Sequence, residues 1–203
     1  MKNRYKDLIS GLDSKELLFH LYATQIVLLT ISIILGMILF DSFSAFFDLF
    51  NFTDLNILVI GGTAGLMIVL IDLLFMKLLP SSYYDDGGLN ERIFADKSVL
   101  HIAWIATCIA ISEEILFRGI IQTHLGLIVS SVSFALVHYR YLFNWFLFLN
   151  ITLLSFFIGF IYEWTDNLIV TIFMHFLIDF LLGVWIMVKK KQKEKEQEGK
   201  FHE

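Results

Sequence analysis

The sequence predicts an all-α fold, a polytopic transmembrane bundle of about six helices, and three observations predict it. Hydrophobic residues make up 57% of the 203, with 21 Phe and one Pro, against roughly 45–50% apolar residues in a soluble domain. Apolar stretches of about 20 residues, enough at 1.5 Å per residue to cross a hydrocarbon core of about 30 Å, recur along nearly the whole chain. The charged residues are confined to loops, to the two ends and to a few positions inside the apolar stretches.

The polar segment Met1 to Lys15 precedes the first apolar stretch, which lacks a short hydrophobic core followed by a small-residue cleavage site, so it reads as a retained span. Spans are expected at Leu17–Phe40, Leu55–Leu79, Ser98–Leu125, Leu127–Tyr141, Asn144–Tyr162 and Asn167–Val188. The fourth is short, and Gly126 alone separates it from the third. The segment Pro80 to Lys97 carries the Pro, Ser, Asp and Gly of a turn-rich connector. The run that begins at Lys189 is a solvated charge cluster expected to end the last helix on the anionic-lipid side.

Orientation follows from the 15 Lys and Arg residues, because positive charge is retained on the cytoplasmic side. Lys2, Arg4, Lys6 and Lys15 precede the first span, Lys77, Arg92 and Lys97 flank the Pro80–Lys97 loop, and Lys189, Lys190, Lys191, Lys193, Lys195 and Lys200 follow the last. The connections Asp41–Asp54 and Glu163–Asp166 have none. Both ends and the Pro80–Lys97 loop are therefore expected in the cytoplasm, which requires an even number of spans. Arg140 falls at the turn between spans four and five, and Arg118 lies inside the third. The chain reads as one membrane domain over residues 1–203, with polar cytoplasmic ends at 1–15 and 189–203. A net charge of −5 with no basic patch gives no nucleic-acid footprint, and the one cysteine, Cys108, excludes an internal disulfide.

Charge at membrane depth costs about 2.5–3.5 kcal/mol per residue on insertion scales, so residues retained there ask for a partner or a role. Asp72, Glu113, Glu114, Arg118 and Asp179 are the ionised types inside spans, with His101, His124, His138 and His175 as imidazoles. Glu114 and Arg118 stand four apart on one helical face, at ion-pairing distance. Glu113 is turned about 100° away and is aimed elsewhere in the bundle. A structural ion pair explains Glu114 and Arg118 and leaves Glu113 over. Phe134 and His138 share a face of the fourth span, as His175 and Asp179 do in the sixth. Counted from the outer ends at 1.5 Å per residue, Glu113, His138, His175 and Asp179 lie about 18, 16, 12 and 18 Å deep. Three helices thus bring acids and imidazoles to one level.

Such a group suits water-mediated hydrolysis. Glu113 with His138 would deprotonate a water for attack on a peptide carbonyl, and His175, oriented by Asp179, would donate to the developing oxyanion. No cofactor is required. The set Glu113, His138 and His175 is also the one that would hold zinc with an open position, although the chain lacks H-E-x-x-H. Ser112, Ser131 and Ser133 lie in no nucleophile motif and read as packing residues, His101 and His124 fall near span ends, and Asp72 has no basic neighbour in sequence.

The runs Glu113-Glu114-Ile-Leu-Phe-Arg118, Phe134-Ala-Leu-Val-His138 and His175-Phe-Leu-Ile-Asp179 resemble the E-E-x-x-x-R, F-x-x-x-H and H-x-x-x-N/D motifs of the CAAX protease and bacteriocin-processing (CPBP, Abi-type) family of membrane proteins. They occur in that order, within a core of about residues 98–183, and the first two spans carry no motif. The resemblance implies an intramembrane endopeptidase, glutamate-type or metal-dependent, in which Glu113 and His138 activate water and His175 and Asp179 support the oxyanion. Glu114, Arg118 and Phe134 fall at the supporting motif positions. Asp179 stands where prenyl-protein-cleaving members typically have Asn, which shifts the expected substrate from CAAX-like proteins toward small peptides or membrane proteins, as in bacteriocin, immunity or pheromone processing. Two other classes compete: a non-catalytic membrane scaffold or immunity protein, and a small proton- or ion-coupled transporter. The second would show flux without a cleaved product.

Overall fold

The computed structural model describes residues 11–139, 141 and 144–201, without the side chains of 200 and 201. Lys2, Arg4, Lys6 and Arg140, used above for orientation, lie outside the described residues. Helix α1 (Ser14–Leu39) begins at a reciprocal cap. Asp13 Oδ1 accepts from the Lys15 and Glu16 amides at 2.7 and 2.8 Å, and Glu16 Oε2 accepts from the Asp13 amide at 2.7 Å, which satisfies orphan donors before the chain enters lipid. A short α2 (Phe43–Phe47) follows. The π-wound turns Ile57–Gly62 lead into α3 (Thr63–Leu78), and α4 (Leu89–Phe94) lies in the next connection. Helix α5 (Val99–Glu114) runs without a break into a second π-wound segment, Ile115–Gln122, and then α6 (Thr123–Val137). The last two are α7 (Trp145–Thr165) and α8 (Leu168–Phe201).

Among the described residues five helices are long and apolar enough to cross a membrane, where six spans were expected. The third of them, Val99–Val137, is 39 residues, about 58 Å if straight, and it contains both expected spans three and four. It is not straight: Gly126 has φ 81° and ψ 170°, left-handed backbone that glycine adopts without a side-chain penalty. The chain turns back there, because the Phe117 and Phe134 ring centroids are 4.9 Å apart, whereas a straight helix would hold residues 17 apart about 25 Å away from each other.

Contacts between connections define the two ends of the bundle. At one end the Phe40 ring meets His124 at 4.5 Å, and Asn167 ties the 51–54 stretch down: its Oδ1 accepts from the Asn51 amide at 3.1 Å, while its Nδ2 donates to the Asn51 carbonyl and the Asp54 carboxylate at 2.9 and 3.2 Å. The Asn56 amide and Asn167 hold the Asp54 carboxyl below its usual range. At the other end Arg92 donates to the Leu12 carbonyl, Asn144 Nδ2 donates to the Ser82 carbonyl at 3.1 Å, and Lys190 pairs with Asp96 at 2.6 Å.

Two sequence expectations need correction. The Pro80–Lys97 segment is more than a connector, since Leu89, Ile93 and Phe94 of α4 are buried against Ile102, Ile105 and Met187. The charge run after Val188 does not end the last helix; α8 continues to Phe201, because Lys and Glu are good helix formers and pair four apart, as Lys190 and Glu194 do at 3.8 Å.

Lipid removes most of the hydrophobic drive for helices to associate, so close backbone approach and polar contacts have to hold the bundle. Outward faces keep large apolar side chains exposed, Met37 at 73% and Leu70 at 67%, as a lipid-facing surface requires. Inside, Gly61 lets α8 come so near that a Cβ there would stand 2.7 Å from the Val170 carbonyl oxygen, and at Gly65, one turn on, it would stand 3.1 Å from that of Met174. Gly61→Leu is expected to cost about 1–3 kcal/mol by forcing those backbones apart, read as a lowered thermal midpoint of the protein purified in detergent.

Candidate active site

Glu113 and Glu114 are the last two residues of α5, and successive helical positions diverge by about 100°. The two carboxylates therefore meet different surroundings. Glu114 is fully buried with Arg118; its Oε1 accepts from Arg118 Nη1 at 3.2 Å and from His175 Nδ1 at 2.8 Å. Arg118 Nη2 donates to the Ser155 carbonyl and hydroxyl of α7 at 3.0 and 3.1 Å, and its Cζ lies 4.7 Å from the Phe134 ring centroid. One guanidinium thereby joins α5, α6, α7 and, through Glu114, α8. The π winding begins at the residue after Glu114, a form that is rare in helices and frequent at functional sites.

His175 sits between carboxylates on both edges. A carboxylate ion-paired to arginine only accepts, so the 2.8 Å contact places a proton on Nδ1. Nε2 then faces Glu113 Oε2 at 3.9 Å and Asp179 Oδ2 at 3.6 Å. Exposure rises along this series: the side chain of Glu114 is 0% exposed, His175 7%, Glu113 10% and Asp179 26%. The cluster is sealed at its arginine and opens at Asp179.

His138 caps the end of α6 with φ −83° and ψ 35°. Its Nδ1 lies 2.9 Å from the Phe134 carbonyl, an acceptor only, so the neutral ring carries its lone pair on Nε2. The ring stacks on Phe134 at 4.5 Å, and Phe134 meets His175 at 6.4 Å. Phe134 thus touches the arginine, the α6 histidine and the α8 histidine.

The structure brings Glu113, Glu114, Arg118, Phe134, His175 and Asp179 into one cluster and sets His138 against its Phe134 wall. The hydrogen bond that orients His175 is the one it donates to Glu114, with Asp179 Oδ2 at 3.6 Å from Nε2, beyond hydrogen-bond length. Among the described residues no group of three or more His, Cys, Asp or Glu is arranged to hold a metal ion. Asp72 lies away from the cluster, where Asn150 Nδ2 donates to it at 3.4 Å. His124 holds the Ile120 carbonyl at 2.8 Å, and His101 meets the Tyr22 hydroxyl at 3.3 Å. Sequence reasoning missed Ser155, whose backbone and hydroxyl seat Arg118; its one signal is a hydroxyl in an otherwise apolar run.

A cluster of buried acids, an imidazole and an arginine inside a membrane bundle is the arrangement that the three motifs pointed to. Comparison makes the family specific. Residues 95–181 match the type II CAAX prenyl endopeptidase Rce1-like family. The uncharacterized protein YpbD of Bacillus subtilis (strain 168) is 38% identical over 175 residues, covering 86% of this chain and 93% of that protein. The chain belongs to the Rce1-like family of CPBP membrane proteins, a family of proteases. No solved structure matches it.

Removing one member of a buried ion pair strands the other in low dielectric. Arg118→Met is expected to cost about 3–5 kcal/mol, whereas Asp179→Asn, at the open edge, is expected to stay within about 0.5 kcal/mol. Thermal midpoints in detergent distinguish the two.

Proposed function

We propose that the protein is an intramembrane endopeptidase that cleaves a peptide bond with water activated by Glu113. The observation that carries this reading is the imidazole of His175, fixed at Nδ1 by Glu114, presenting Nε2 between Glu113 and Asp179 at 3.9 and 3.6 Å. These spacings leave room for a reacting group, and apo distances of this kind tighten in a bound complex.

In the proposed step Glu113, with His138, takes a proton from water as its oxygen bonds to the carbonyl carbon. The carbonyl π pair moves onto oxygen, where His175 Nε2–H in its protonated form meets the developing charge. Collapse of the tetrahedral intermediate breaks the C–N bond, and the proton held by Glu113 goes to the departing amine. Asp179 supports the imidazolium, and Arg118 holds Glu114 in place. The reading requires no metal. We read the substrate as a small peptide or membrane protein that reaches the site from the bilayer. The bundle is read as crossing a bacterial plasma membrane six times with both ends cytoplasmic, which the basic residues near one end support.

The test is mass spectrometry of peptide libraries, prenylated and unprenylated, digested by the purified protein in detergent. Glu113→Gln is expected to lower kcat/KM by about 10²–10⁴-fold, the range ascribed to a general base, and a zinc chelator is expected to leave the wild-type rate unchanged. Equal products from wild type and variant would overturn the assignment of Glu113. Absence of product from both would favour a non-catalytic scaffold or immunity protein, and chelator sensitivity reversed by zinc would overturn the metal-free mechanism.

A further inference from the structure

Helix α1 carries no motif, yet it contains a buried amide. Gln25, about 16 Å into the helix at 1.5 Å per residue, is 8% exposed. A side-chain amide at that depth without a partner would cost several kcal/mol. Its partner is Ser112, the residue before Glu113: the hydroxyl donates to Gln25 Oε1 at 2.5 Å. Two backbone carbonyls compete for the same proton, Cys108 at 2.8 Å and Ile109 at 3.1 Å, and the amide oxygen is nearest. Gln25 Nε2 meanwhile donates to the Leu21 carbonyl at 3.3 Å. Were the amide turned over, its nitrogen would donate to the Ser112 hydroxyl, so the tie between the helices stands in either orientation.

The location gives this tie its meaning. Ser112 is fully buried, and the winding of the helix changes from α to π three residues later, at Ile115. At such a transition the rotational phase of the preceding turn sets where the next side chains point. We infer that Gln25 is a positioning residue: by holding Ser112 it sets the turn from which Glu113 is aimed at His175. The inference rests on the peptidase reading for its kinetic consequence and on geometry alone for its structural one.

A control lies in the same interface. The Tyr22 hydroxyl meets His101 Nε2 at 3.3 Å, joining the same two helices eleven residues before Ser112, about 16 Å along α5. Losing that tie loosens the α1–α5 contact without touching the turn that carries Glu113.

The experiment uses the full chain in detergent and the variants Gln25→Leu, Ser112→Ala, their combination, and Tyr22→Phe. A reacting group displaced by about 1 Å costs up to about 100-fold in rate. Gln25→Leu and Ser112→Ala are each expected to lower kcat about tenfold or more with KM within about twofold, and the double variant to be no slower than the slower single, as for residues acting as one unit. Tyr22→Phe is expected to keep the wild-type kcat. Wild-type kcat in Gln25→Leu, additive losses in the double variant, or an equal loss in Tyr22→Phe would each overturn the inference.

A second measurement needs no turnover: labelling of buried carboxyls by dicyclohexylcarbodiimide, mapped by mass spectrometry, with Asp72 as the internal reference. Glu113 labelling is expected to change several-fold in Gln25→Leu while Asp72 labelling stays constant. Should the wild type cleave nothing, the peptidase reading fails and this measurement decides alone, unchanged Glu113 labelling overturning the positioning role and changed labelling sustaining it.

Discussion

The burial of Arg118 is the constraint on which the rest of the site depends. A guanidinium with no exposed surface in a lipid-embedded bundle has to find its partners within the protein, and it draws them from four helices: Glu114, Ser155, the face of Phe134, and His175 at one remove through Glu114. Desolvation of the ion is offset only while all of these stay in place. The arrangement is therefore cooperative, and the side chains of the proposed site inherit its rigidity. His175 cannot turn without giving up Glu114, and Glu114 cannot move without stranding the arginine.

That dependence accounts for the division of labour between adjacent carboxylates. Glu114, sealed and doubly engaged, is structural in its contacts and sets the tautomer of His175. Glu113, one residue earlier and rotated away, stands with Asp179 on the more open edge, where a substrate and a water can arrive. A hydrophobic pair in place of Glu114 and Arg118 would pack as well, yet it would leave the imbalance of charge around His175 without a fixed reference. The polar ties elsewhere, such as Asn167 under the 51–54 stretch and Gln25 on Ser112, serve the same end in a solvent that gives helices little reason to associate.

Much of this was legible in the sequence. The i, i+4 spacing of Glu114 with Arg118 and of His175 with Asp179 gave shared faces, and counting rises per residue gave a common depth; His175 Nε2 lies 3.9 Å from Glu113 and 3.6 Å from Asp179. The apolar stretches gave the helices, and Gly126 marked a real reversal. What periodicity could not supply was choice of partner. That His175 donates its hydrogen bond to Glu114 depends on the rotation of α8 against α5, and the seat of Arg118 on Ser155 depends on α7. The π winding of Ile115–Gln122 has no compositional signature. The continuation of α8 was missed because charge was read as an end to the span, when it ends only the apolar environment.

Helix α8 runs from Leu168 to Phe201 without interruption, so His175, Asp179 and the charged tail share one rotational register. Lys190, which pairs with Asp96, and His175, which pairs with Glu114, are pinned to different parts of the chain at two heights of the same rod. A single-codon insertion anywhere between them would twist one pin by about 100° relative to the other. Substitutions on the lipid face of this segment leave the register intact, and changes of length do not. The lipid-facing positions between His175 and Lys190 are therefore free to change in composition, whereas the length of the segment is not.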